Sequence, residues 1–105
     1  MSAPQPPPHG MAQIDVRRTD IERLLSRFHV RVRAGDTETT HDVTLSASDF
    51  ERLGARYRTP EDFIRACFAF LLAREPSERI LSSFDVSVIS TYFPEFEREI
   101  ARRRA

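Results

Sequence analysis

A chain of 105 residues has the length of one domain, and 40% of its residues are apolar, which is too many for a chain that stays unfolded throughout. Its 16 basic and 16 acidic residues give a formal net charge of zero. This excludes a protein that is strongly basic over its whole length and is attracted to acidic partners by that charge. No apolar run reaches the roughly 18 residues that cross a bilayer. A single cysteine, Cys67, excludes an intrachain disulfide and a multi-cysteine metal site.

The N-terminal segment is rich in proline. Residues 1–10 hold four of the seven prolines, a composition typical of an extended, poorly packed segment. We therefore expect a disordered tail over 1–12, a single globular domain over 13–101 and a frayed basic end over 102–105. The tail lacks the pattern of a signal peptide, and Met11 is an alternative start of the natural chain.

The segment after the tail has a helix-like pattern. Thr19 and Glu22 have the spacing of a capping box, in which each side chain bonds the other residue's backbone amide. The pattern predicts a short helix over 20–27. Its apolar stripe is formed by residues at helical spacing: Ile21, Leu24, Leu25 and Phe28.

From Phe28 the apolar period changes to two, which is typical of a half-buried strand. Gly35-Asp36 then indicates a two-residue turn in which the glycine takes a positive φ. A return strand over 38–45 completes a β-hairpin, because this register gathers the apolar side chains on one face. The side chains on that face are Phe28, Val30, Val32, Val43 and Leu45.

The same register decides what the histidines could do. It places Arg33 opposite Glu38 and His29 opposite Asp42, so opposite charges pair on the exposed face. His41 falls on the other face from His29, so the two imidazoles cannot share a metal ion. The three glycines form no phosphate-binding pattern, and we expect neither a metal nor a cofactor.

Two longer helices are predicted in the middle of the chain. Ser48-Asp49-Phe50-Glu51 is a second capping box, which opens a helix over 49–57. Thr59-Pro60 is a strong helix start and opens a helix over 61–74. Residues 66–73 are apolar on every side, which is typical of a helix in the core or against a partner chain.

The last quarter of the chain also carries helix signals. Pro76 begins one or two helical turns. Asp85 can cap a helix over 86–93, although the alternating valines there also fit a strand. Phe96 and Ile100 are an apolar pair at helical spacing. The whole pattern predicts an α+β fold, with an antiparallel β-hairpin packed against four to five short helices.

No group of residues has the pattern of an active site. Cys67 lies between Ala66 and Phe68, an apolar setting typical of core packing rather than of a nucleophile. The acidic residues near the C-terminus flank Phe96 and Ile100, and we interpret them as a solvated helix face. We therefore expect a non-catalytic protein.

Charge is distributed unevenly along the chain. Residues 17–33 hold six arginines and two acids, whereas residues 59–95 hold six acids and three arginines. The basic stretch could contact phosphates, contact the acidic part of a second subunit, or be solvated. The candidate partner-binding residues are these arginines and three aromatic residues: Arg17, Arg18, Arg23, Arg27, Arg31, Arg33, Tyr92, Phe93 and Phe96.

A domain this small buries only about 60–65% of its chain surface, so some apolar side chains are left exposed unless a second chain buries them. We therefore expect a homodimer with Phe68–Leu72 or Phe93–Ile100 at the interface, and a compact monomer is the alternative. A hairpin also leaves sheet edges open for pairing. The leading hypothesis is a small cytoplasmic protein that acts by binding a protein partner, including a second copy of itself.

Two resemblances add to this hypothesis. Val43-Thr44-Leu45-Ser46, the helix over 49–57, Thr59-Pro60 and the helix over 61–74 resemble the strand–helix–helix order of ribbon-helix-helix repressors and antitoxins. This resemblance implies a dimer whose paired strands enter the DNA major groove, and a nucleic-acid-binding regulator is the alternative function. The base-reading positions would be Thr40, Asp42, Thr44 and Ser46. The stretch from Ile80 to Glu97 is similar to short bacterial proteins without an assigned function, which implies a bacterial source.

Overall fold

A computed structural model describes residues 12–102 of the chain, which form a four-stranded sheet with helices against its inner face. The strand order is β1-β2-β3-β4, with antiparallel pairing among the first three strands and parallel pairing of β3 with β4. The predicted α+β class is confirmed. The elements are β1 (Gln13–Ile21), β2 (Leu25–Ala34), β3 (Thr37–Ser46), α1 (Ala47–Leu53), α2 (Pro60–Leu72), a 3-10 turn (Ser77–Arg79), β4 (Ser83–Asp85), α3 (Ser87–Tyr92) and α4 (Phe96–Arg102).

The predicted terminal segments lie almost entirely outside the described residues. The predicted tail over 1–12 and the alternative start at Met11 lie outside the described residues, apart from residue 12. The predicted basic end over 102–105 also lies outside them, apart from Arg102, which is the last residue of α4.

The predicted hairpin is confirmed together with its register. Arg33 pairs with Glu38 and His29 pairs with Asp42, as the charge pattern predicted. Gly35 has a φ of 63°, and it is the one residue with a positive φ in the described part of the chain. The turn therefore depends on the conformation that glycine adopts without steric cost.

The predicted helix over 20–27 is wrong, because this segment is the end of one strand, a turn and the start of the next. Ile21 and Leu24 are 69% and 68% exposed, whereas Phe28 of the same apolar stripe is buried in the core, so the four residues do not form one packed helical face. The preceding residues pair with β2 instead, with Ile14 opposite Val32. Main-chain bonding along a whole strand satisfies more backbone groups than an isolated two-turn helix could.

The two middle helices begin at polar caps and are shorter than predicted. The hydroxyl of Ser46, not of Ser48, caps α1 by accepting from the amide of Asp49, and this helix ends at Leu53. Thr59 caps α2 as predicted by accepting from the amide of Asp62. An N-cap of this kind satisfies an amide that has no partner within the helix.

The C-terminal part combines a predicted helix with a strand that the sequence did not reveal. The Oδ2 atom of Asp85 accepts hydrogen bonds from the amide and the hydroxyl of Ser87, which starts α3 and favours helix over strand for 87–92. The three residues before it form β4, in which Phe84 pairs with Val43 of β3. A short parallel strand of this kind depends on distant pairing, so it leaves little local signal.

The core lies between the inner face of the sheet and α2, with α4 closing the far side. Phe68 and Phe70 of α2 are fully buried, and so are Phe96 and Ile100 of α4. These four side chains are therefore covered within one chain, whereas Leu72 and Phe93, which also belong to the predicted interface segments, are partly buried. Cys67 is also buried, at 1% exposure, as the apolar setting predicted.

Candidate functional site

The outer face of the sheet carries several of the candidate arginines, but acidic residues stand beside them. The guanidinium of Arg31 lies 3.8 Å from the carboxylate of Asp15, and that of Arg33 lies 3.5 Å from Glu38. Such exposed pairs contribute little to stability, but they reduce the positive potential of the face. Arg17 and Arg27 are exposed on the same face, and Arg23 is exposed in the turn between β1 and β2.

The side chain of Arg18 lies on the inner side of β1, where it contacts α2 and the core. Its Nη2 atom donates a hydrogen bond of 2.7 Å to Glu61 at the start of α2, and its guanidinium lies 5.7 Å from the ring centroid of Phe28. The bond from Arg18 lowers the pKa of the Glu61 carboxyl group. The basic and acidic parts of the sequence thus meet here within one chain.

A cleft of about 280 Å³ opens between the end of α2, the 3-10 turn and α3. Two large apolar side chains at this cleft remain strongly exposed: Tyr92 at 65% and Leu81 at 46%. Clustered exposure of this kind marks binding surfaces more often than scattered apolar residues do. The cleft is lined by Leu71, Glu75, Arg79, Ile80, Leu81, Phe84, Val88, Ile89, Tyr92 and Phe93.

A buried histidine positions one wall of this cleft. His41 of β3 is 2% exposed, and its Nδ1 atom lies 2.7 Å from the carbonyl oxygen of Leu81. Because a carbonyl only accepts, Nδ1 carries a proton, and in the neutral ring Nε2 accepts from the hydroxyl of Thr39 at 2.9 Å. Burial lowers the pKa of His41, which favours the neutral ring.

The floor of the cleft is fixed by aromatic packing and by β4. The ring of Phe84 lies 5.9 Å from that of Phe68, which in turn lies 5.2 Å from the ring of His41. On the other side, Thr44 donates a hydrogen bond to Asp85, which also starts α3. The cleft is thus built on paired strands and a packed helix, which hold its lining in place.

The three aromatic residues named from the sequence lie in different environments. Tyr92 is exposed at the cleft, whereas Phe93 lines it while its ring packs edge-on against Phe70 at 5.9 Å. Phe96 is fully buried, so its side chain has no surface to offer a partner. Leu81 was not singled out from the sequence, although it is a large apolar residue directly before two serines, a setting typical of an exposed loop.

The strand compared with the ribbon-helix-helix proteins is paired on both sides. Residues 37–46 bond to β2 along one edge and to β4 along the other. The intersubunit ribbon of that family requires such a strand to pair with its copy in the partner. The outward position Asp42 contacts His29 at 3.1 Å, and Thr44 contacts Asp85.

Two findings concern metal ligands and membrane-spanning helices in residues 12–102. Within this range no three side chains among His, Cys, Asp and Glu are grouped closely enough to hold a metal ion. None of the helices in the same range combines the length and the apolar character needed to cross a membrane.

Comparisons with known proteins assign no family to this chain. No protein-family model matches it, and neither a curated protein nor a solved structure does. Its function must therefore be inferred from the geometry of its own surfaces.

Proposed function

We propose that this chain is a non-catalytic, cytoplasmic protein-interaction domain that binds a protein partner through the cleft beside α3 and also binds a second copy of itself. The observation that carries the proposal is the exposure of Leu81 and Tyr92 at the rim of a preformed apolar cleft. Tyrosine is well suited to such a contact, because it combines a large apolar ring with a hydroxyl that can stay hydrated.

The occupant that fits the cleft is a short segment of a partner protein with two or three apolar side chains. A volume of about 280 Å³ lies at the lower end of the range for small-molecule pockets, which suits a few side chains. Glu75 and Arg79 place one charge of each sign in the lining, so polar groups of such a segment can be bound beside its apolar side chains.

The chemistry of the lining supports binding rather than catalysis. Among the described residues, the cleft contains one carboxylate, one guanidinium and one phenol, and it contains no serine, histidine or cysteine. His41 lies behind the wall, where its two ring nitrogens bond to Leu81 and Thr39. General acid–base or nucleophilic catalysis requires a group that reaches a substrate, and the imidazole of His41 does not reach into the cleft.

The experiment is quantitative affinity capture from a bacterial lysate with immobilised wild-type protein and three variants. Leu81→Asp and Tyr92→Ala alter the cleft, whereas Leu24→Asp places the same change at a 68% exposed leucine in the turn between β1 and β2. We expect one protein to be retained by the wild type and by L24D and to be depleted at least about tenfold by L81D and Y92A. Equal retention by all four proteins, or no specific retention by the wild type, would overturn the proposal.

A nucleic-acid-binding regulator is the second candidate, favoured by Arg17, Arg23 and Arg27 on exposed positions of the sheet and its turn. Such binding must weaken steeply with salt, because arginines that neutralise phosphates release counterions. A titration of DNA and RNA against salt concentration separates the candidates. Nanomolar specific binding with a steep salt slope would favour the regulator, and weak binding without sequence preference would favour the protein-interaction domain.

A further inference from the structure

β1 is the edge strand of the sheet, and the hairpin turn determines which of its backbone groups face outward. Ala34 and Thr37 close the two-residue turn, so these residues bond to each other across β2 and β3. Bonding direction alternates along a strand, so Arg31 and His29 direct their backbone groups toward β1. The residues opposite them on β1 are Asp15 and Arg17, which therefore direct their backbone groups toward β2. The neighbours of these two residues along β1 direct their backbone groups away from the sheet.

The outward-bonding residues of β1 are Ile14, Val16 and Arg18. A contact in the structure agrees with this assignment, since the Nε atom of Arg65 donates a 3.3 Å hydrogen bond to the carbonyl of Ile14 from outside the sheet. The described residues place no further strand against this edge. Apart from the Ile14 carbonyl, which accepts from Arg65, the outward main-chain groups of Ile14, Val16 and Arg18 have no strand partner among the described residues, and another chain can pair with them.

We propose that β1 pairs with β1 of a second copy, antiparallel and centred on Val16, so that one sheet continues through both chains. This inference rests on the self-association that is part of the proposed function, and it assigns the surface for it. In this register Val16 and Val16 of the partner subunit exchange main-chain hydrogen bonds. Ile14 exchanges them with the partner's Arg18, which replaces the bond from Arg65.

The side-chain charges of β1 select this register over its neighbours. Centring on Val16 places Asp15 opposite the partner's Arg17, and the two-fold axis repeats this pair, so two opposite-charge contacts form on the outer face. Moving the centre by one residue would place either Asp15 or Arg17 opposite its own copy. Like charges directly opposite each other destabilise strand pairing, whereas opposite charges stabilise it.

The pairing also has a defined end. The register of β1 against β2 shifts between Arg18 and Asp20, and a bulge of this kind bends the strand away from a straight neighbour. The stretch from Ile14 to Arg18 precedes the bulge and is symmetric about Val16. Roughly six intersubunit main-chain hydrogen bonds can form within it, two for each bonded pair.

The test is sedimentation equilibrium of the full chain at micromolar concentration, with complementary charge variants. D15R and R17D should each weaken the dimer by about tenfold, because each converts two attractive contacts into repulsive ones. An equimolar mixture of the two should restore the dimer, since every contact then joins opposite charges. V16P should abolish the dimer, because proline removes the outward-facing amide of residue 16. That amide takes no part in the pairing of β1 with β2 within the monomer.

Circular dichroism of each variant checks that the monomer is folded. A wild type that stays at 12.1 kDa across the concentration range would overturn both this interface and self-association itself. A wild-type dimer that persists in folded V16P, or one that the mixture of charge variants does not restore, would overturn the β1 interface alone and leave self-association in place.

Discussion

The Nδ1 atom of His41 donates a 2.7 Å hydrogen bond to the carbonyl oxygen of Leu81, and this bond joins the buried face of the sheet to the wall of the cleft. The two residues are 40 positions apart in the chain. Leu81 exposes its side chain while its backbone is held by an inward bond. A backbone held in this way needs less ordering when a partner binds, which reduces the entropic cost of association.

The stability of the fold should therefore depend on pH through His41. Its pKa in the folded state is below the ordinary value of 6.5 because the ring is buried. The unfolded chain thus binds the proton more readily, so the free energy of unfolding should fall as pH drops below about 6.5. Chemical denaturation at pH 7.5 and pH 5.5 measures this difference.

Two variants control this pH experiment. H41Q should remove the loss of stability between pH 7.5 and pH 5.5, whereas H29Q leaves His41 in place and should retain it. Carboxyl groups with lowered pKa, such as Glu61 and Glu97, lose their stabilising effect only below their ordinary value of 4.5, outside this window. An unchanged pH dependence in H41Q would contradict the account of the buried ring.

Replacing Gly35 should destabilise the hairpin. Its φ of 63° is a conformation that β-branched residues resist, so Gly35→Val should cost about 1 kcal/mol or more in the free energy of unfolding. Gly35→Asn should cost less, because asparagine tolerates this region. Urea denaturation of both variants measures the difference, and equal costs would show that the positive φ is not what the turn requires.

Removing the hydroxyl of Tyr57 should loosen the attachment of α4. This buried hydroxyl donates a 2.8 Å hydrogen bond to the carbonyl of Ile100. Tyr57→Phe should lower the free energy of unfolding by about 1–3 kcal/mol, because it leaves a buried acceptor without this donor. Tyr92→Phe removes a hydroxyl from an exposed ring and should change stability by less than about 0.5 kcal/mol. Equal effects of the two substitutions would contradict this role.

Cys67 should react slowly with thiol reagents in the folded protein, because it is 1% exposed in the core. Denaturant should make the reaction fast. Cys67→Ala should cost about 1 kcal/mol and leave the fold intact. Rapid labelling of the native protein at neutral pH would revive the interpretation of this thiol as a nucleophile.

Local patterns in the sequence were sufficient for the hairpin but not for β1. The alternation from Phe28, the Gly35-Asp36 turn and the cross-strand charges all supported one register, which is the register observed. In the segment before the hairpin, Ile21 and Leu24 have the spacing of an apolar helix stripe. Only Ile14 and Val16 have the alternating apolar pattern of a strand. This segment forms a strand because it pairs with β2, and such pairing cannot be predicted from the local sequence pattern.

The cleft could be predicted only in part for a similar reason. Tyr92 and Phe93 were identified from the sequence, but Leu81 and Phe84 join them only because β4 pairs with β3 and because His41 holds the preceding loop. Both contacts connect residues about 40 positions apart. Surfaces assembled by such long-range contacts are visible in the fold and not in the spacing of neighbouring residues.

The two tyrosines of the chain allow the cleft to be monitored directly. Tyr92 is 65% exposed at the cleft and Tyr57 is 6% exposed in the core, so protein labelled with fluorotyrosine should give two separate ¹⁹F resonances. The measurement is their response to a saturating amount of the captured partner. The account predicts that the Tyr92 resonance shifts or broadens while that of Tyr57 stays in place. A bound partner that leaves the Tyr92 resonance unchanged would contradict the assignment of the cleft as the binding site.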